Sequence, residues 1–172
     1  MKRALAGAVA PFRDRIPGGR WTRSDGWHVT LKFLGTTWPR LVPTVEEAVV
    51  AAATRVASFG SALTEVGAFP SGRRARVLWA GLADSDGRFG ELVKILDHLL
   101  AEYFVPERRA FTPHLTLARL TPPRDVDEVA PGLLGMPVAS EAFPVDALTL
   151  YRSHLSAKGA TYEALVRRPL ST

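Results

Sequence analysis

His28 and Thr30 stand in WHVTLKFLG at positions 27 to 35, and His114 and Thr116 stand in PHLTLARLT at positions 113 to 121. The chain has only 4 histidines, yet two of them share the setting His-x-Thr-Leu, separated by most of a domain. At average residue usage one such tetrapeptide arises in roughly a few per cent of chains this long, and two in far fewer. In a strand, residues two apart project from one face, so each histidine points with its threonine. Val29, Leu31, Leu115 and Leu117 then face the opposite side, toward helices. Two such strands facing each other across a cleft would gather two imidazoles and two hydroxyls around one small volume. That set suits hydrolysis or transesterification of a phosphodiester. A neutral imidazole can take a proton from water or a sugar hydroxyl while a protonated one donates to the leaving oxygen, and the ordinary histidine pKa of about 6.5 makes both forms available near neutral pH. The threonine hydroxyls and a guanidinium can bind the nonbridging oxygens as charge builds on phosphorus.

A lone His-x-Thr in a strand is usually a packed core or edge feature; the repetition favours chemistry. Neither motif carries a carboxylate, so a two-histidine metal site is the poorer reading and no metal is expected. Lys32, four residues after His28, shares its face in a regular strand and is a candidate for substrate contact. Arg119, five residues after His114, falls on the opposite face of a regular strand, so its reach to phosphate requires a twist, a bulge or a strand end. Arg73, Arg74 and Arg76 read as a solvated turn, with an RNA backbone contact as the alternative. Arg152 reads as a surface strand residue that could also meet a nucleotide. His98 falls between core leucines of a helix and His154 near a hairpin, both as structural or exposed residues. Trp21, Trp27 and Phe33 are candidates for stacking on a base, although strand aromatics more often pack in cores. Trp38 and Trp79 read as packing residues.

The elements that must position these residues follow from pattern. The spacing predicts a helix over 2–15, broken near Pro11, and a turn at Pro17-Gly18-Gly19. A strand is expected over 27–34, ended by Gly35 and Thr36. A helix over 43–58 carries Thr44 as N-cap and Glu47 three residues on, the pattern of a capping box. Strands are expected over 62–69 and 76–82, joined through Pro70-Ser71-Gly72. A second long helix over 84–103 places Phe89, Leu92, Val93, Leu96, Leu99 and Leu100 at helical spacing. Then come a strand over 114–120 closed by Pro122-Pro123, a short helix over 125–134, and strands over 143–155 and 161–168 joined by a hairpin through 156–160. The coarse duplication of these elements predicts one antiparallel α+β domain of two similar lobes spanning 1–172.

Bulk properties are compatible with this. A chain of 172 residues fits one domain with a real core. An apolar fraction of 47% with 23% charged residues is globular, and no apolar run is long enough to span a bilayer. The run from Ala4 to Ala10 is too short and too close to charges for a secretory peptide. A soluble, cytoplasmic protein without a membrane partner is expected. The absence of cysteine excludes disulfides, thiolate zinc sites and cysteine nucleophiles. A net charge of +5 favours an anionic partner, nucleic acid being the commonest. The bias toward arginine and alanine that a GC-rich genome imposes is the competing explanation.

WHVTLKFLG and PHLTLARL resemble the paired His-x-Thr signatures of the 2H phosphoesterase superfamily, and the forms HxTLxFLG and HxTLAR are similar to its RNA 2′,3′-cyclic phosphodiesterase branch, the LigT-like or 2′-5′ RNA ligase family. FPSGRRARVLWAGL, FTPHLTLAR and LTLYRSHLSAKGATYEALVRRPL agree with it, so the likeness runs from about Trp21 to Leu170. The resemblance implies a bilobal, pseudo-twofold α+β fold: two antiparallel sheets flanked by helices, with the active site in the groove. It implies cofactor-free, metal-independent opening of 2′,3′-cyclic phosphates at RNA ends to 2′-phosphomonoesters, and in some relatives formation of a 2′-5′ linkage. Carried over by motif position, His28 and His114 are the catalytic pair and Thr30 and Thr116 bind phosphate, with Arg119 and Lys32 as further substrate contacts. By analogy with relatives that yield a 2′-phosphate, His114 activates water and His28 protonates the departing 3′ oxygen. A monomer acting on an RNA cyclic-phosphate end or a cyclic nucleotide is expected. Members usually begin with an apolar strand before the first helix, whereas this chain starts inside that helix at Met1, so that first strand is expected to be missing. Two alternatives remain: a 2H enzyme for small cyclic phosphates or 2′-5′ oligonucleotides, and a basic RNA-binding module whose histidines do no chemistry.

Overall fold

The computed structural model describes residues 1–106, 109–156 and 159–172. The strands are β1 (Gly19–Trp21), β2 (Phe59–Ser61), β3 (Leu63–Phe69), β4 (Ala75–Leu82), β5 (His114–Arg124), β6 (Phe143–Val145), β7 (Ala147–Ser156) and β8 (Gly159–Pro169). The helices are α1 (Lys2–Val9), α2 (Val42–Ala53), α3 (Arg88–Leu99) and α4 (Val126–Val129). The fold is α+β with antiparallel sheets, as the pattern predicts. The chain divides into two compact units, each assembled from three segments: Met1–Val29, Ser61–Ala83 and Pro113–Phe143 in the first, and Thr30–Gly60, Asp84–Thr112 and Pro144–Thr172 in the second.

The first unit is built on a four-stranded antiparallel sheet in the order β1-β5-β4-β3. Alternation along β4 and β5 gives the sheet one buried face, with Leu78, Ala80, Leu115, Leu117, Ala118 and Leu120 nearly inaccessible. The helix expected at the start of the chain forms as α1 and passes into a 3-10 segment, Ala10–Arg15, at the point where Pro11 lacks the N–H a continuing α-helix would use. β5 does not stop at Leu120: it runs through Pro122 and Pro123 to Arg124. Asp125 caps the short α4 by accepting the Glu128 N–H at 3.4 Å.

The second unit packs α2 against α3 and the β7–β8 hairpin. Its core joins Val49, Ala52 and Ala53 of α2, and Val56 just beyond it, to Leu92 and Leu96 of α3, with Leu148 and Leu170. Burial of such aliphatic side chains is worth about 1.5–3 kcal/mol each. The expected capping box is not used. A 3-10 turn over Pro39–Leu41 leads straight into α2, so Thr44 and Glu47 lie inside a helix that starts at Val42 and has no side-chain cap. α3 starts at Arg88 rather than Asp84, because the Asp84 carboxylate turns back to accept the N–H groups of Phe89 and Gly90 at 3.0 and 3.3 Å. The β7–β8 hairpin forms as expected; Ala157 and Lys158 of its turn lie outside the described residues.

The expected strand over 27–34 does not form. Only Val29 makes a bridge, antiparallel to Leu115. The outer edge of β5 is already occupied by β1, from Ala118 to Leu120, and the chain loops out through a 3-10 turn at Ser24–Gly26 before Val29 returns to the same edge.

Candidate active site

His114 opens β5 opposite Gly81, and Thr116 lies opposite Trp79. Both project from the face of the sheet opposite the buried one. Leu78 pairs with Ala118 while its neighbour Trp79 pairs with Thr116, so Leu117 is an extra residue, a β-bulge. The bulge changes the alternation: Leu115, Leu117, Ala118 and Leu120 are all buried, while Arg119 is exposed. Arg119 therefore emerges on the His114 and Thr116 face, which a regular strand would deny it.

His28 lies in the same unit. The register of the Val29–Leu115 bridge sets His28 beside Thr116 on the His114 side of the sheet. Its segment is fixed by Thr22, whose hydroxyl accepts the Trp27 indole N–H at 2.8 Å and lies 2.7 and 2.9 Å from the carbonyl oxygens of Thr116 and Leu117, to which it donates. The Thr22 N–H donates to the Leu117 carbonyl as well, at 2.8 Å. Thr22 thus ties the approach to His28 to the bulge of β5. His28 Nδ1 sits 2.8 Å from the Gly26 carbonyl oxygen. A carbonyl only accepts, so Nδ1 carries the hydrogen and, in the neutral ring, Nε2 is the accepting nitrogen. Arg23 and Asp25 pair at 3.1 Å across the turn that presents Gly26, and the Arg23 hydrogen bond holds the Asp25 carboxyl below its usual range.

His114 packs against two aromatic rings. Its ring meets Phe69 edge-on, with centroids 5.2 Å apart at 84°, and lies 6.3 Å from Trp79. The Trp79 ring has its space because Gly67 and Gly81 beside it lack side chains. A Cβ on Gly67 would come within 2.1 Å of the indole, and one on Gly81 within 3.3 Å. Edge-to-face contacts of this kind are worth about 0.5–1.5 kcal/mol each.

The remaining candidates are placed as follows. Thr30 is exposed and begins the second unit. Lys32 lies in that unit, its side chain 8% exposed, in an ion pair with Asp97 that neutralises its charge. Trp27 is 7% exposed, a core residue rather than a stacking surface, whereas Phe33 is 82% exposed. Arg152 pairs with Glu163 at 3.5 Å, as does His154 at 3.0 Å. His98 and Arg73, Arg74 and Arg76 are at least partly exposed. Among the described residues no group of three or more His, Asp or Glu could hold a metal, and no helix is long and apolar enough to cross a membrane. Sequence reasoning left Trp79 to packing and passed over Thr22, Phe69, Gly67 and Gly81. Two glycines spaced about a strand tryptophan in VGAF and LWAGL were the available signal for the Trp79 shelf; nothing local marks Thr22.

A sequence profile of the family described as LigT like phosphoesterase matches residues 1–79 and 82–162. A protein of Geobacillus stearothermophilus named RNA 2′,3′-cyclic phosphodiesterase is 29% identical over 170 residues, 98% of this chain; the chain spans about half of that relative, 53% of its length. A protein of the same name from Aeropyrum pernix is 31% identical, with 94% of each chain covered. A crystal structure of a Thermus thermophilus protein superposes with a TM-score of 0.81 at 28% identity, covering 98% of this chain and 91% of that one.

Proposed function

The chain belongs to the LigT-like phosphoesterase family, and from that premise we propose that it hydrolyses RNA 2′,3′-cyclic phosphate ends to 2′-phosphomonoesters by two-histidine acid and base catalysis. The observation that carries this reading is the placement of His28 beside Thr116, on the His114 side of one sheet. The names of the relatives support the substrate.

In this reading His114 takes a proton from water as the water oxygen attacks phosphorus. The bond from phosphorus to the 3′ oxygen breaks, and His28 Nε2 gives that oxygen its proton, leaving a 2′-phosphate and a 3′-hydroxyl. The Gly26 carbonyl suits His28 to the acid role, because it accepts from Nδ1–H throughout and leaves Nε2 to give the proton. Thr116 donates to the nonbridging oxygens, and Arg119, on the same face of the sheet, contacts substrate further along it. Lys32, committed to Asp97, neutralises a half-buried carboxylate before it touches substrate. A 5′-hydroxyl in place of water would leave a 2′-5′ linkage by the same bond changes. No step needs a metal.

Phosphorus NMR of a short RNA ending in cyclic phosphate, in EDTA, tests this. A 2′-phosphate formed by the unmodified protein and not by His114→Ala is expected; a 3′-phosphate, or equal turnover by both, would overturn it.

A further inference from the structure

The β1–β5 pairing sets Arg20 directly opposite Arg119, and directly opposed residues of an antiparallel pair project from the same face. Both side chains are exposed, and neither makes an ion pair among the described residues. Like charges in this position destabilise a sheet, and a neutral residue at either site would fold better. The pair also has an unusual origin: Arg119 reaches that face only through the bulge at Leu117. Thr116 and Arg119 lie opposite Trp79 and Val77, two residues apart on β4, so the arginine pair stands roughly 7 Å along the strand from the phosphate-binding threonine. Two guanidinium forks converging there match the oxygens of a phosphodiester.

The geometry points to Arg20 and Arg119 as a second anion site, which holds the phosphodiester on the 5′ side of the cyclic-phosphate nucleotide. This rests on the cyclic-phosphodiesterase reading and narrows it: the preferred substrate is the end of an oligonucleotide rather than a free cyclic nucleotide. A mononucleotide has no second phosphate to place between the arginines.

The test compares kcat/KM for 2′,3′-cyclic AMP and for a trinucleotide ending in 2′,3′-cyclic phosphate, in the unmodified protein and in Arg20→Gln. The unmodified protein is expected to prefer the trinucleotide, and Arg20→Gln to reduce that preference about tenfold. On the trinucleotide the slope of log kcat/KM against log salt should become shallower by about 0.7, the value for one phosphate contact on a single strand. The melting temperature of Arg20→Gln should hold or rise, since a repulsion is removed, whereas a purely structural arginine would lower it. A trinucleotide preference equal in the two proteins overturns the second site alone. Turnover of neither substrate by the unmodified protein overturns the cyclic-phosphodiesterase reading and this site with it.

Discussion

The two His-x-Thr-Leu segments share their chemistry and differ in how the backbone holds them. His114 begins a strand that is paired on both sides, and its ring leans on Phe69 and Trp79. His28 lies in an irregular segment with one bridge, and hydrogen bonds at Thr22, Trp27 and Gly26 fix it. Aromatic rings flank one histidine, whereas the hydrogen bonds of a short turn hold the segment that carries the other. The same tetrapeptide therefore tolerates different damage in its two places.

The comparison breaks most severely at the rings themselves. His28→Ala and His114→Ala should each lower turnover at least the ~10²-fold typical of a lost general acid or base, measured on a cyclic nucleotide; near-normal rates in both would sink the shared mechanism. Gly67→Ala strikes only the packed side. Its Cβ would meet the Trp79 ring at 2.1 Å, so the indole must shift, at the roughly 1–3 kcal/mol typical of overpacking. Thermal melting should record the loss, and NMR should show the His114 ring resonances moving while those of His28 stay. Thr22→Val strikes the other side, leaving the Trp27 N–H buried without its acceptor at about 1–3 kcal/mol. Here the His28 resonances should move and turnover fall, with the Phe69 and His114 signals little altered. Equal disturbance of both histidines by either variant would contradict the division.

The smallest effect lies in the β7–β8 hairpin. The His154 hydrogen bond holds the Glu163 carboxyl below its ordinary value of 4.5. A carboxyl lowered by folding contributes stability that is complete above that ordinary value and lost as pH falls through the lowered one. Glu163→Gln should lack this acid-side loss, seen as a slightly flatter dependence of melting temperature on pH below about 4.5.

The histidines, β3, β4, the start of β5 and both long helices were legible because their signals are local: alternation, helical spacing and turn residues. What was not legible depends on contacts far along the chain. HVTLKFL has the composition of a strand, yet Val29 pairs with Leu115 one residue from the start of β5, so in that antiparallel register the residues after it run past the end of the strand. Thr44 and Glu47 have cap spacing, but the turn before them starts the helix early. The sequence LTLAR reads as regular alternation, and the bulge at Leu117 shows only in pairing with β4 and in contacts to Thr22, 95 residues away. That bulge decides where Arg119 points, so the basic half of the candidate site needed the structure, whereas its imidazoles did not.

The central claim is that His28 and His114 act together on one phosphodiester. It is tested most directly by kcat/KM of each alanine variant and of the double variant on the same cyclic phosphate. Groups acting as a unit give a double variant that falls little below the worse single one. Losses that multiply, or a double variant that retains normal turnover, would contradict it.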